Sequence, residues 1–199
     1  MGPERSTQPA EASPQVEAVT AAVPGAASVR ELVLSRVRDI PDFPQPGVLF
    51  KDLSPLLADG PAFAALVDDI AARYTGRVDV VAGIEARGFV LGAAVAYRLG
   101  VGFVLVRKGG KLPAVTHRVE YALEYASAVL EIHRDAFSPG ARVLVMDDVL
   151  ATGGTAAAAC ELVERAGAAV TAVEIVLELS FLDGRSKLGG RELSCIVTV

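Results

Sequence analysis

Cysteine and histidine are scarce in this sequence: Cys160, Cys195, His117 and His133 are the whole supply, and they lie apart. Neither a disulfide framework nor a structural zinc site is indicated, and both histidines read as structural or exposed residues. A reducing cytoplasm is the expected compartment. No apolar run approaches the roughly 20 residues that a membrane helix needs. Positive charge is also in deficit, with 19 Lys and Arg against 24 Asp and Glu and a net charge of −5. No bulk basic field therefore exists for nucleic acid or an anionic membrane, and an anionic substrate has to be held locally. Internal repeats are missing. The Ala-rich amino-terminal stretch is interrupted by Glu11, Pro14, Glu17 and Pro24, which excludes a signal-peptide core. Residues 1–27, rich in Ala, Pro, Ser and Glu without hydrophobic period, are expected to form a disordered tail. The remainder, residues 28–199 of a chain that is 52% hydrophobic, is expected to be one domain with one substantial core.

The stretch that organises this domain is VLVMDDVLATGGTA, from Val143 to Ala156. Val143 to Met146 is apolar without alternation, which suits a strand of a parallel sheet covered on both faces. Asp147 and Asp148 follow at its carboxyl end. Ala151, Thr152, Gly153, Gly154 and Thr155 then supply two glycines and two hydroxyls, and Ala156 to Ala166 reads as a helix stopped by Gly167. Unpaired N–H groups and the positive end of the helix dipole converge on that loop, so it is a site for phosphate. No Gly-Lys-Ser/Thr follows and the G-x-G-x-x-G spacing is absent, which excludes a Walker A loop and the dinucleotide fingerprint. Two carboxylates beside a phosphate cradle repel the phosphate itself. They suit something attached to it: vicinal ribose hydroxyls or a hydrated magnesium ion. A ribose 5-phosphate fits.

Elsewhere the pattern is of alternating strands and helices. Ser28 and Glu31 form a capping-box pair opening a helix expected to end near Asp39. Pro41, Pro44, Pro46 and Gly47 predict a stiff, irregular segment. Pro61 opens a helix with an apolar stripe through Phe63, Leu66, Val67, Ile70 and Tyr74. Val78–Ala82, a helix over Phe89–Leu99 and Gly102–Val106 make a βαβ unit whose loop, GIEARG, places Arg87 at a helix entrance. Arg107 to Pro113 concentrates three cations and two glycines, Thr116 to Ala128 predicts a mobile loop, and Val129–His133 a strand. Val170–Leu179 and Leu193–Val199 complete the strands, with a loop over Gly184–Gly190.

DDVLATGGT resembles the phosphoribosyl-pyrophosphate (PRPP) loop of type I phosphoribosyltransferases. IPDFPQPGVLFKDLSPLL, from Ile40 to Leu57, resembles the amino-terminal signature of adenine phosphoribosyltransferases. The resemblance implies an α/β fold with a mainly parallel, doubly wound sheet, flanking helices and a small amino-terminal hood. It implies that Val48 to Asp52 covers the base, with Phe50 stacking on a purine and Leu49 and Lys51 beside it. A neighbouring backbone N–H and C=O can read the N1 acceptor and N6 donor of adenine without a charged side chain. On residues alone the alternative for Phe50 is a core aromatic. By the same resemblance Glu85, Ala86 and Arg87 hold pyrophosphate, with Arg87 also reaching the base, and the peptide between Glu85 and Ala86 is cis. Arg107, Lys108 and Lys111 then neutralise pyrophosphate, and Glu124 and Tyr125 belong to a closing loop that assists proton movement. The residue-level alternatives are a surface ion pair for Glu85, a solvated charged turn for Arg107 to Lys111, and a solvent-facing hairpin position for Glu124.

The implied reaction joins adenine and PRPP into AMP and pyrophosphate, with Mg²⁺ held mainly by substrate oxygens and water, and the family implies a homodimer. Two rivals share the phosphate loop: a xanthine or other purine phosphoribosyltransferase, and a PRPP-sensing regulator. The second would want a DNA-binding module and a basic surface.

Overall fold

The computed structural model describes residues 28–122 and 127–199. The tail expected over residues 1–27, and the positions Glu124 and Tyr125, lie outside the described residues. Seven strands form one sheet in the order β5-β6-β4-β3-β7-β8-β9, where β3 is Val80–Ile84, β4 Gly102–Lys108, β5 Thr116–Ala122, β6 Ser127–His133, β7 Arg142–Leu150, β8 Ala169–Glu178 and β9 Leu193–Thr198. The five strands from β4 to β9 are mutually parallel, and the β5–β6 hairpin adds an antiparallel edge to β4. Helices α3 (Gly60–Tyr74) and α4 (Arg87–Leu99) cover one face, and α5 (Gly154–Arg165) the other. The sheet is thus doubly wound, as expected. Alternation in β7 divides its side chains between two cores: Val143 and Val145 pack with Ala159, Leu162 and Val163, and Leu144 and Met146 with Leu66, Ile70 and Leu91.

The hood is more regular than the prolines suggested. Helix α1 spans only Val29–Leu34, opened by the expected capping box of Ser28 and Glu31, and does not continue to Asp39. Arg38–Pro41 (β1) instead pairs antiparallel with Leu49–Asp52 (β2). Cross-strand ion pairs match this register: Arg38 bonds Asp52 at 2.6 Å and Lys51 bonds Asp39 at 2.8 Å. A short helix α2 (Ser54–Ala58) then leads into α3, whose first turn Asp59 caps by accepting from the Ala62 amide at 3.1 Å.

Four other boundaries differ from expectation. Strand β3 runs on through Gly83 and Ile84, and α4 begins at Arg87, because parallel pairing with β4 persists to Ile84↔Val106. Strand β7 includes both aspartates and ends only at Leu150, paired with Glu178. Thr116–Ala122 is a strand and not a mobile loop. Its residues alternate, with Val119 buried while Arg118 and Glu120 stay exposed, and it pairs with β6 along its length. Gly184–Leu188 is a 3₁₀ turn and not irregular loop.

Candidate active site

Three cavities follow one another along the carboxyl ends of β3, β7 and β8. The first, about 200 Å³, lies between the hood and the sheet and is lined by Val48, Leu49, Phe50, Lys51, Arg87, Val149, Ala151 and Leu179. Among the described residues no carboxylate lines it. Phe43 meets the Phe50 ring edge-on at 5.1 Å, and the Arg87 guanidinium lies over the same ring at 5.7 Å. Phe50 is therefore a wall of this cavity, held on two sides. The Lys51 ammonium is committed to Asp39, so Lys51 borders the cavity with its charge already paired. Such a slot takes a flat neutral heterocycle.

The second cavity, about 510 Å³, holds most of the charged groups of the site and lies between β7 and the β5–β6 hairpin. Glu85, Ala86, Arg87, Lys108, Tyr121, Leu130, Asp147, Asp148 and Thr155 line it. The Glu85–Ala86 peptide is cis, as expected from the loop resemblance. Arg87, in the first turn of α4, donates its Nε to Asp148, which is buried. Asp147 is pushed above the usual carboxylate range by burial first and by the adjacent Asp148 charge second. Gly88 explains how closely helix and strand approach here. A Cβ on it would stand 2.7 Å from the Met146 carbonyl oxygen and 3.1 Å from Asp147 Oδ1.

Glu85 gathers the cations expected at the pyrophosphate. Its carboxylate meets Lys111 Nζ at 2.5 Å and Arg107 Nε at 3.3 Å, and accepts from the Lys108 amide at 3.0 Å. Lys111 first, then, against burial, the Lys108 amide and Arg107 hold Glu85 down at about 2. Both sequence readings of Glu85 thus meet in one residue: it lines the pocket and it is ion-paired. Lys108 has no ion pair among the described residues. Buried Glu131 fixes the turn from below, accepting from the Lys111 and Leu112 amides at 2.8 and 2.9 Å.

The third cavity, about 80 Å³, is enclosed by Asp147, Val149, Leu150, Ala151, Thr152, Gly153, Thr155 and Ala156. Gly153 adopts φ 78° at the entrance to α5, a conformation that favours glycine, and no side chain caps the helix. Its first-turn N–H groups remain available to an anion of phosphate size. The structure thus brings together all the expected site residues that it describes. It adds ones the sequence reading missed. Val149 and Leu179 complete the first cavity, Tyr121 stands 3.4 Å from the Thr155 hydroxyl, and Gly184 backs the loop from Ala151 to Gly153. For Tyr121 a signal existed in the alternation of His117, Val119 and Tyr121; for Gly184 there was none.

Comparison with known proteins agrees with this geometry. The phosphoribosyl transferase domain family matches residues 56–188. The chain is 60% identical over 171 residues to the adenine phosphoribosyltransferase of Salinispora tropica, covering 85% of this chain and 90% of that protein. It is 54% identical over 169 residues to the adenine phosphoribosyltransferase of Chloroflexus aurantiacus, covering 84% and 98%. Among solved structures, the adenine phosphoribosyltransferase of Thermoanaerobacter pseudethanolicus superposes with a TM-score of 0.82 at 48% identity, covering 85% of this chain and 99% of that one. The Saccharomyces cerevisiae adenine phosphoribosyltransferase, complexed with an imino-altritol bisphosphate and adenine, gives a TM-score of 0.81 at 38% identity, covering 84% and 98%.

Proposed function

The chain belongs to the adenine phosphoribosyltransferase family, and from that premise we propose that it transfers the phosphoribosyl group of PRPP to adenine, giving AMP and pyrophosphate in purine salvage. The observation that carries the proposal is the succession of an apolar slot, a charge-lined chamber and a phosphate-sized cradle along one edge of the sheet. Each matches one part of the substrate pair in the order in which AMP joins them.

Adenine enters the slot against Phe50, with the backbone at Leu49 reading its edge and Lys51 and Arg87 bordering it. The 5′-phosphate rests on the N–H groups of Ala151 to Thr155, while Asp147 and Asp148 accept from the ribose hydroxyls. Arg87 leaves Asp148 as the ribose arrives and turns to pyrophosphate. Breaking the bond from C1′ to pyrophosphate leaves an electron-poor sugar and a highly charged leaving group, so preplaced cations act where charge develops. Lys108 meets that charge first. Arg107 and Lys111 follow by exchanging Glu85 for pyrophosphate oxygens, and the Glu85–Ala86 backbone lines the same chamber. N9 of adenine attacks C1′ and loses its proton, a step assigned to Glu124 and Tyr125 with closure over the site.

Magnesium suits this arrangement as a passenger of the substrate. Among the described residues no three His, Cys, Asp or Glu converge as metal ligands, and the acidic pair supplies at most two carboxylates. That set fits a hydrated Mg²⁺ carried mainly by PRPP oxygens and water, with Asp147 and Asp148 alongside. When bound it neutralises pyrophosphate as a leaving group.

No helix among the described residues is long and apolar enough to cross a membrane. A cytoplasmic homodimer is the proposed working form, with residues 28–199 as the catalytic domain and residues 1–27 outside it. Deleting residues 1–27 is expected to leave turnover unchanged. The deciding experiment for the activity is pyrophosphate release with Mg²⁺ and PRPP, offering adenine, hypoxanthine, guanine, xanthine, uracil and orotate in turn. Response to adenine alone is the expected outcome. Turnover with another base would overturn the hood assignment, and silence with every base despite PRPP binding would mean that the pocket binds without catalysing.

A further inference from the structure

The 3₁₀ turn Gly184–Leu188 touches the phosphate loop, yet no role in the reaction has been given to it. The contact is backbone on backbone. A Cβ built on Gly153 would collide with the Gly184 carbonyl, and one built on Gly184 would collide with the Ala151 carbonyl and stand 2.9 Å from the Gly153 nitrogen. Glycine on both sides is what allows this approach.

The turn is fastened at both ends. Arg185 forms a two-pronged pair with Glu178, the last residue of β8, with Nε to Oε1 at 3.0 Å and Nη2 to Oε2 at 2.6 Å. Glu178 is buried and also accepts from the Thr198 hydroxyl at 3.3 Å, so its position is set by the sheet. At the other end Leu188 is buried in the core that α5 shares with the sheet. Its carbonyl accepts from Arg191 at 2.9 Å, and Arg191 also grips Glu164 of α5 at 2.9 Å. Gly184, directly before the Arg185 anchor, rests on Ala151 and Gly153, small residues with little side chain of their own to hold the loop. Hydrogen bonds from Arg185 keep Glu178 below its usual carboxylate range, so the pair remains charged at neutral pH.

We propose that the Glu178–Arg185 pair, acting through Gly184, is a positioning device for the 5′-phosphate loop. It fixes the backbone of Ala151 to Gly154 against the entrance of α5, and so sets affinity for the phosphate end of the substrate far more than for the base, whose slot only Ala151 of these residues borders. The proposal rests on the reading of Ala151 to Thr155 as the 5′-phosphate site.

Three variants test it: Arg185→Met, the double change Glu178→Gln with Arg185→Met, and Arg185→Lys. The double variant removes both charges, so that no buried carboxylate is stranded and folding is protected. AMP binding is read by calorimetry, KM for PRPP and for adenine by steady-state kinetics, and folding by thermal melts. The expected result is AMP binding weakened about tenfold, and KM for PRPP raised alike, in both methionine variants. KM for adenine stays within about twofold, and Arg185→Lys recovers part of the loss. Lowered melting temperatures with unchanged AMP and PRPP constants would reduce the pair to a structural brace and overturn the proposal. Failure of the unaltered protein to bind AMP would strike the phosphate-loop reading itself, which separates the two.

Discussion

Replacing Phe50 with alanine tests the base slot more sharply than any other single change. The ring forms one wall of the 200 Å³ cavity, braced by Phe43 at 5.1 Å and covered by Arg87 at 5.7 Å. Stacking of a base on an aromatic ring contributes about 1 to 3 kcal/mol. Losing it predicts a fall of about 5- to 150-fold in kcat/KM for adenine. PRPP meets the other two cavities, so its KM is expected to stay within about twofold. Stability should suffer little, because the hairpin of β1 and β2 is a separate two-stranded sheet at the edge of the domain. The lost aromatic pair accounts for about 0.5 to 1.5 kcal/mol. Steady-state kinetics varying each substrate in turn, with a thermal melt beside them, read all three quantities. Equal losses toward adenine and PRPP, or no loss toward either, would refute the assignment of the slot to the base.

Gly88→Ala must push α4 away from β7, since the new methyl would stand 2.7 Å from the Met146 carbonyl. A loss of about 1 to 3 kcal/mol in melting experiments is expected, with a raised KM for PRPP because Asp147 is displaced. Lys108→Ala removes a cation that has no ion pair among the described residues. It is therefore expected to raise KM for PRPP several-fold while leaving the melting temperature unchanged; a drop in stability without a kinetic effect would contradict the role given to it. Glu85 makes a pH prediction. Its carboxyl is held at about 2 in the folded protein, against about 4.3 when unfolded, so its stabilising contribution is complete above about pH 5 and is lost as pH falls toward 2. The melting-temperature gap between the unaltered protein and Glu85→Gln, measured without substrate, should be constant from pH 5 to 7 and close below pH 4.

What could be read from the sequence was what is contiguous in it. The phosphate loop announces itself because strand, acidic pair, glycines and helix follow in direct succession from Val143 to Ala156, and each is a local preference. The double-faced sheet followed from unalternating apolar runs, and Arg87 and Phe50 from short stretches with a family likeness. The hairpin strand Thr116–Ala122 was obscured because Arg118 and Glu120 are charged and the buried partner, Val119, is a single residue between them. Its stability comes from pairing with β6, which no window over β5 contains. Gly184 was invisible for a related reason: its significance is the carbonyl of Ala151 and the backbone of Gly153, brought against it only by the fold.

The same distinction explains how a chain of net charge −5 holds PRPP. Apart from Lys108, the cations of the site are not free charges waiting on a surface. Arg87 is paired with Asp148, and Arg107 and Lys111 with Glu85, so each is held by a carboxylate that lines the chamber before substrate arrives. An unpaired cluster of these residues would repel itself and be swollen with water. Pairing removes that repulsion, at the cost that pyrophosphate and ribose must displace carboxylates on entry. Each cation exchanges one carboxylate for oxygens of the more highly charged pyrophosphate, so binding is driven by the denser charge and better geometry of pyrophosphate toward several cations at once. The exchange predicts that Glu85→Gln, which frees Lys111 and Arg107, tightens pyrophosphate binding and slows product release. Stopped-flow release of pyrophosphate should then be slower than in the unaltered protein, and faster release would show that Glu85 orients these cations without competing for them.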